Sequence, residues 1–293
     1  MKEQKDIWTI GSILKWTGQY FQEKGVDNPR LDAEVLLSHI LKKDRMYLYV
    51  HFDQPLEDGE LALYRQSVKQ RVARVPVAYI LGRKEFMGLD FAVTPAVLIP
   101  RPDTEILVER VLEELKPVCK AHILDIGTGS GAIIVSLLSL LPEATGVTVD
   151  ISEAALAVAR SNAEKHQVLE RLILLEGDVF SPVTGQIFDA IVSNPPYIPD
   201  GDIAGLEPEV HKEPRTALAG GEDGLNFYRQ IVAKAPNYLK AGGFIALEVG
   251  IGQAQAVADL GQAAGVYEPA VICKDYGGVE RVVLLTLRTS SQR

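Results

Sequence analysis

The chain reads as an α/β protein: a mostly parallel sheet with helices on both faces, preceded by a small all-helical N-terminal domain. Three observations predict this. From His122 onward, short apolar runs alternate with helical stretches at the spacing of βαβ units. Residues 1–75 instead carry their apolar side chains at helical spacing. Between the first apolar run and the helix after it lies a glycine loop, Gly127-Thr128-Gly129-Ser130-Gly131.

The elements follow in order. Thr9 is placed to cap a helix running to about Phe21, with Gly25 as its stop. Asn28-Pro29 sets up a second helix over Leu31–Leu41, with Leu31, Val35, Leu36 and Ile40 as its apolar stripe. Asp58 opens a third, striped by Leu61, Tyr64, Val68 and Val72, and Pro76 is expected to end the bundle. From Tyr79 to Val97 the pattern turns β-like, with a hairpin over Phe86–Phe91. This predicts a helical domain over 1–78, a hairpin linker over 79–98 and an α/β domain over 99–293.

In the third part a helix runs to Leu115, then strand His122–Ile126 leads to helix Gly131–Leu141. Strand Thr145–Asp150 leads to helix Glu153–His166, and strands Leu172–Leu175 and Phe188–Ser193 follow. Helix Leu225–Leu239 leads to strand Phe244–Val249, and helix Gln253–Ala264 to strands Ala270–Cys273 and Val282–Leu287. The last two, joined by Gly277-Gly278, must run antiparallel to each other.

Composition narrows the function. A hydrophobic share of 47% and a charged share of 24% describe an ordinary soluble protein, and Met1–Asp6 does not read as a targeting segment. The run Ala132–Leu141 is too short to span a bilayer. Cys119 and Cys273 form no metal-type pair and suit a reducing cytoplasm; no metal is expected. Residues 1–85 hold 14 Lys and Arg against 12 Asp and Glu, the remainder 16 against 27. An acidic α/β part weighs against a nucleic-acid substrate.

Two motifs carry chemistry. Asn194-Pro195-Pro196-Tyr197 ends the strand Phe188–Ser193. It offers a side-chain amide, a carbonyl free of any following N–H, and an aromatic face, the parts needed to grip a planar NH2 group. Its plainer reading is a rigid turn. The glycine loop allows close backbone approach by a ligand, and Asp150, ending the second strand, is placed to accept from ribose hydroxyls. Gly127-x-Gly129-x-x-Ala132 also fits the dinucleotide fingerprint, so an NAD-dependent oxidoreductase stays open on the loop alone. Asp125, two residues before Gly127, favours an ammonium over a pyrophosphate, and Asp178 is placed to meet an adenine amino group. Together these tilt the reading to S-adenosylmethionine.

The combination resembles class I S-adenosylmethionine-dependent methyltransferases acting on amino nitrogens. Leu98–Glu105, Leu124–Gly131, Ser193–Ile198, Glu213–Leu218 and Asp275–Arg281 sharpen the resemblance to the HemK/PrmC family over essentially the whole chain. The resemblance implies a Rossmann-like, mostly parallel seven-stranded sheet. It also implies methylation of N5 of the glutamine in the Gly-Gly-Gln motif of class 1 peptide chain release factors. By resemblance, Asp125, Gly127, Thr128, Gly129, Ser130, Gly131, Asp150, Asp178 and Val179 bind the cofactor. Val179 stands where some relatives carry an aromatic residue. Asn194, which also touches the cofactor, and Pro195, Pro196 and Tyr197 bind the substrate glutamine and form the catalytic set. Expected with this are a cytoplasmic monomer, a release factor as partner and no membrane. Rivals are adenine-N6 methylation of DNA or RNA and glutamine methylation of a ribosomal protein. The long stretch Ile198–Gly224 is expected to act as a lid.

Overall fold

A computed structural model describes residues 7–289. It divides into two units: one runs to Gly82 and takes in Pro208–Lys212, the other comprises Arg83–Glu207 and the chain from Glu213. Among the described residues no helix is long and apolar enough to cross a membrane.

The first unit is helical. Helix α1 (Ile10–Glu23) starts at a capping box in which Thr9 and Ser12 satisfy each other's backbone N–H. Helix α2 (Pro29–Leu41) uses Pro29 in its first turn, where the missing N–H costs nothing. Two short helices were not expected: α3 (Arg45–Val50), capped by Asp44, and, after α4 (Asp58–Val72), helix α5 (Val77–Leu81). Pro76 therefore starts a helix instead of ending the bundle, because its fixed φ suits a helix entry. The core gathers Ile10, Ile13, Phe21, Leu36, Leu37, Leu48 and Tyr64.

The stripe expected on α2 is displaced. Leu31 is exposed, while Asp32 and Glu34 are buried. Buried carboxylates need partners, and here they have them. Asp32 pairs with Arg71 at 2.6 Å, and Arg71 also pairs with Glu209 at 2.7 Å. Glu34 accepts from Arg30, Arg45 and Tyr49.

The second unit opens with a hairpin of strands β1 (Arg83–Phe86) and β2 (Leu89–Ala92). Met87 and Gly88 at its tip both have positive φ, the two-residue turn that matches strand twist. The hairpin is no linker. Phe86 and Phe91 are buried in this unit's core, beside Val108 and Leu138. The buried Asn162 binds Ala92 through both its N–H and its carbonyl and donates to the Ser130 carbonyl as well.

Helix α6 (Glu105–Leu115) leads to strand β3 (His122–Ile126), helix α7 (Ala132–Leu140), strand β4 (Thr145–Asp150) and helix α8 (Glu153–Lys165). Strands β5 (Leu172–Glu176) and β6 (Phe188–Ser193) follow, then helix α9 (Asn226–Lys234) and strand β7 (Leu239–Glu248). Helix α10 (Ala254–Ala264) precedes strands β8 (Val271–Lys274) and β9 (Glu280–Thr286). Helix α9 stops five residues short of its expected end because Pro236 has no N–H to continue the ladder and Ala235–Asn237 tightens into a 3-10 turn, and β7 starts earlier than expected. The sheet order is β5-β4-β3-β6-β7-β9-β8, with β9 antiparallel to both β7 and β8 and the rest parallel. The chain moves outward from β3 to β5, then returns to β6 on the other side of β3. Such a reversal opens a crevice at the carboxyl ends of the two central strands.

The buried Glu34 gives a prediction. Burial alone would raise its pKa, but hydrogen bonds from Tyr49, Arg30 and Arg45 together hold it below the ordinary value. A depressed carboxylate contributes stability above its unfolded pKa of about 4.3 and loses it as pH falls through the folded value. Trp8 and Trp16, the two tryptophans of the chain, both lie in this unit. Urea unfolding followed by their fluorescence is expected to show Glu34→Gln less stable at pH 7. The variant's deficit should shrink as the pH is lowered below 4.

Candidate active site

The crevice at the β3–β6 reversal is a half-open cleft of about 860 Å³. Its wall combines Gly127 and Gly129 after β3, Asp150 after β4, Asp178 and Val179 after β5, and Asn194, Pro195 and Pro196 after β6. The two motifs that sequence reading singled out therefore face one shared space. Ser193 Oγ donates to the Ile126 carbonyl at 2.7 Å and so ties the two strand ends together.

The loop conformation explains its glycines. Gly127 and Gly129 have φ of +79° and +53°, and a Cβ at either would meet no atom within 4 Å. The backbone is open there and makes no tight protein packing. Asp150 is held from both sides: one oxygen accepts from Gly129 N–H at 2.9 Å, the other from Ser152 N–H at 2.9 Å. Each carboxylate oxygen keeps a lone pair for a diol. Val179 has φ of +48°, an outlier for a β-branched residue, and strain of that kind clusters at ligand sites.

Five expected residues do not line the cleft. Asp125 lies beneath the loop with its Oδ2 accepting from Thr148 at 2.9 Å and its Oδ1 buried without a partner. Thr128 turns its hydroxyl onto Thr148. Ser130 gives its carbonyl to Asn162, and Gly131 packs against Ala159 of α8. Tyr197 is turned toward the end of β7, where its ring lies close against Gly250 and its carbonyl accepts from Gln253. It faces Glu248, Arg281, Arg101 and Asp103, and burial raises its pKa.

Part of the remaining wall comes from Ile198–Gly224. Its ends are pinned by Ile198 N–H to the Leu218 carbonyl and Gly220 N–H to the Ile198 carbonyl. Pro214, Thr216 and Ala217 reach the cleft. Glu213 is buried, accepting from the Ile99 N–H and from Arg101. Arg281 pairs with Asp103 at 2.7 Å and with Asp275 at 3.0 Å. These pairs bring together the Leu98–Glu105, Glu213–Leu218 and Asp275–Arg281 stretches, which are far apart in sequence.

Sequence reading missed Thr104, Glu248 and Asn162. Asn194 Nδ2 donates to Thr104 Oγ1 at 3.1 Å. Glu248 ends β7 with 3% of its surface exposed, and it was visible as a lone acid inside the apolar run Phe244–Val249. Burial pushes its pKa up to about 7, against the opposing influence of the neighbouring polar groups and the charge of Arg281.

Comparison with known proteins agrees with this picture. A family model described as PrmC N-terminal domain matches residues 12–82, and one described as methyltransferase small domain matches 102–207. A release factor glutamine methyltransferase of Geobacter sulfurreducens is 51% identical, with 97% of this chain and 98% of that protein covered. This chain belongs to the release factor glutamine methyltransferase family. A second member, from Moorella thermoacetica, is 47% identical, covering 89% of this chain and 92% of its own. Among solved structures, the hMettl16 catalytic domain superposes with a TM-score of 0.58 at 15% identity, covering 80% of this chain and 84% of that one. A Pyrococcus furiosus methyltransferase gives 0.50 at 18% identity, covering 78% and 98%. These likenesses show the fold, that of a class I methyltransferase.

Asp125 sets up a test. Burial raises its pKa to about 7, the Asp150 charge adds to this, and Thr148 opposes it. A carboxylate raised in the folded state favours folding below its unfolded pKa, and that stability is lost as pH rises through 7. Asp125→Asn is therefore expected to raise the melting temperature of the ligand-free protein at pH 8 by a few degrees. The gain should vanish near pH 4, as followed by circular dichroism.

Proposed function

We propose that this enzyme transfers a methyl group from S-adenosylmethionine to the side-chain amide nitrogen of the glutamine in the Gly-Gly-Gln motif of class 1 peptide chain release factors. The observation that carries this is the single cleft shared by the glycine loop and Asn194-Pro195-Pro196. The cofactor fits the residues present. Open space over Gly127 and Gly129 would take its backbone-hugging part, Asp150 the ribose hydroxyls, and Asp178 with Val179 the adenine side. The unpartnered Asp125 Oδ1 is a spare acceptor below the loop for the ammonium, reached directly or through water. When bound, S-adenosylmethionine supplies an electrophilic methyl carbon next to a sulfonium.

The chain's own residues make the amide reactive. An amide nitrogen is a poor nucleophile because its lone pair is delocalised into the carbonyl. With Nδ2 engaged by Thr104, Asn194 keeps Oδ1 as its acceptor toward the cleft. The carbonyl of Pro195 is the second acceptor, since Pro196 has no N–H to compete for it. Two acceptors hold the substrate NH2 by both hydrogens and strengthen their grip as positive charge grows on nitrogen. Holding that nitrogen at attack distance removes several kcal/mol more from the barrier. One hydrogen is then lost as a proton to water at the open mouth. Tyr197, turned away from the cleft, acts through the backbone it fixes. We place the enzyme in the cytoplasm as a monomer.

Asn194→Ala is expected to lower kcat by about 10²–10³-fold with cofactor affinity nearly unchanged. Asp150→Ala should weaken cofactor binding first, measured by calorimetry; unaltered affinity would remove Asp150 from the site. The reading itself is tested by incubating labelled S-adenosylmethionine with a release factor and nucleic acid and locating the label by mass. Label on the nucleic acid, or on another residue of the release factor, would overturn it.

A further inference from the structure

We infer that Asn162 is a positioning residue for the cofactor half of the cleft: its side-chain amide locks the glycine loop to the hairpin, and this lock sets the affinity for S-adenosylmethionine. The inference rests on the proposed reading of that cleft as an S-adenosylmethionine site. The problem it addresses is general. Gly127, Gly129 and Gly131 all have positive φ, a conformation that few other residues adopt. The same glycines make the loop easy to deform, because a residue without Cβ takes either sign of φ at little cost. A loop that its ligand must first order binds that ligand more weakly than one already in place.

Asn162, on α8, supplies the restraint. It is fully buried and is not part of the cleft wall, so it acts through the loop and not on a ligand. Its Nδ2 donates to the Ser130 carbonyl at 2.8 Å. The N–H of the same peptide unit, that of Gly131, donates to the Thr128 carbonyl at 2.9 Å. This peptide is therefore held at both ends and cannot turn over. One turn earlier on α8, Ala159 packs against Gly131, where an added Cβ would come within 3.2 Å of the Ala159 Cβ. On the cleft side of the held peptide, Gly129 N–H reaches Asp150 at 2.9 Å.

The same amide meets the hairpin. Asn162 Oδ1 accepts from Ala92 N–H at 2.7 Å, and Nδ2 donates to the Ala92 carbonyl at 3.0 Å. That is the pair of bonds a neighbouring strand would offer, and β2 has only β1 beside it in their two-stranded sheet. The three partners fix which way the amide points, since an N–H needs Oδ1 and two carbonyls need the NH2. Lys165 of the same helix also reaches Asp90 of β2 at 2.8 Å, but that ion pair is exposed and contributes little. Past Ala92 the chain runs into Ala96, Val97 and Leu98, which line the cleft together with Gly127 and Gly129. The hairpin is thus a working part of the cofactor site, and Asn162 joins it to the loop through one group.

The test uses the full chain. Asn162→Asp keeps the size, the shape and the acceptor for Ala92 N–H, but sets an oxygen against the Ser130 and Ala92 carbonyls. Calorimetry should show S-adenosylmethionine binding weakened about tenfold or more in both Asn162→Asp and Asn162→Ala. With a release factor, kcat at saturating S-adenosylmethionine should change less than about threefold, the loss falling on KM for the cofactor. Val111→Ala, which empties buried space on α6, is the control: it should lower the melting temperature and leave the affinity within about twofold. Hydrogen exchange gives a second readout. Ala92 does not line the cleft, yet in the wild type S-adenosylmethionine should slow exchange of its N–H about fivefold or more, and Asn162→Asp should abolish that slowing. Wild-type affinity in a folded Asn162→Asp, an equal loss in Val111→Ala, or wild-type Ala92 exchange that ignores S-adenosylmethionine would each overturn the inference. If the wild type binds S-adenosylmethionine but methylates no release factor, the proposed function fails and binding and exchange still decide the inference. If it binds none, the cofactor reading fails, and the lock is decided in the ligand-free protein. There Asn162→Asp should speed Gly131 N–H exchange about tenfold or more, and an unchanged rate would refute the lock.

Discussion

The parallel pairing of β3 with β6 is the constraint on which the site depends. Those strands are neighbours in space but are separated in sequence by α7, β4, α8 and β5. Because the chain reverses there, the turns after the two strands leave in different directions and a gap opens between them. The glycine loop sits on one side of that gap and Asn194 on the other. The register Ile126 to Ser193 sets how far each motif projects, and the Ser193–Ile126 hydrogen bond fixes it at the last residue pair. A slip of one residue would turn Asn194 to the opposite face of the sheet and empty the cleft of its acceptor.

Around this gap the protein spends charge to obtain rigidity. Arg101–Glu213 and Arg281–Asp103–Asp275 join three separate loops beside the cleft. Exposed ion pairs contribute little, but Glu213 is buried and Arg281 largely so, and pairs of this kind resist being opened one partner at a time. Asn162 does the same work with neutral groups, binding the hairpin strand β2 and the glycine loop together from α8. The loop's open conformation is therefore held from behind, leaving its front free.

Much of this was legible in the sequence, and the reasons differ by element. Strands His122–Ile126, Thr145–Asp150 and Phe188–Ser193 match residue for residue, because each is a short run rich in apolar residues and closed by Gly, Asp or Asn-Pro. The start of β7 was hidden by Lys240-Ala241-Gly242-Gly243, a stretch that reads as a turn and forms an irregularity between Leu239, which pairs with Phe188, and Phe244, where regular pairing with β6 and β9 begins. On α2, buried Asp32 and Glu34 displaced the expected face, since Arg45 of α3 and Arg71 of α4, which pair with them, are remote in sequence. The glycine loop and Asn194–Tyr197 could be read because each is contiguous. Thr104 could not be joined to them, because it reaches Asn194 from a separate turn some ninety residues away in sequence.

The two buried acids of the sheet show why the site is built as it is. Asp125 on β3 and Glu248 on β7 sit on strands that flank β6 from either side, and burial raises both to about 7. Each has one oxygen with no partner in the protein. A half-satisfied carboxylate in a sheet interior costs several kcal/mol against an apolar residue of similar size. Stability alone would not place two of them there. Their positions make sense in terms of direction. Asp125 lies beneath the glycine loop and Glu248 ends the strand beside β6, so both acids lie under the surface of the cleft.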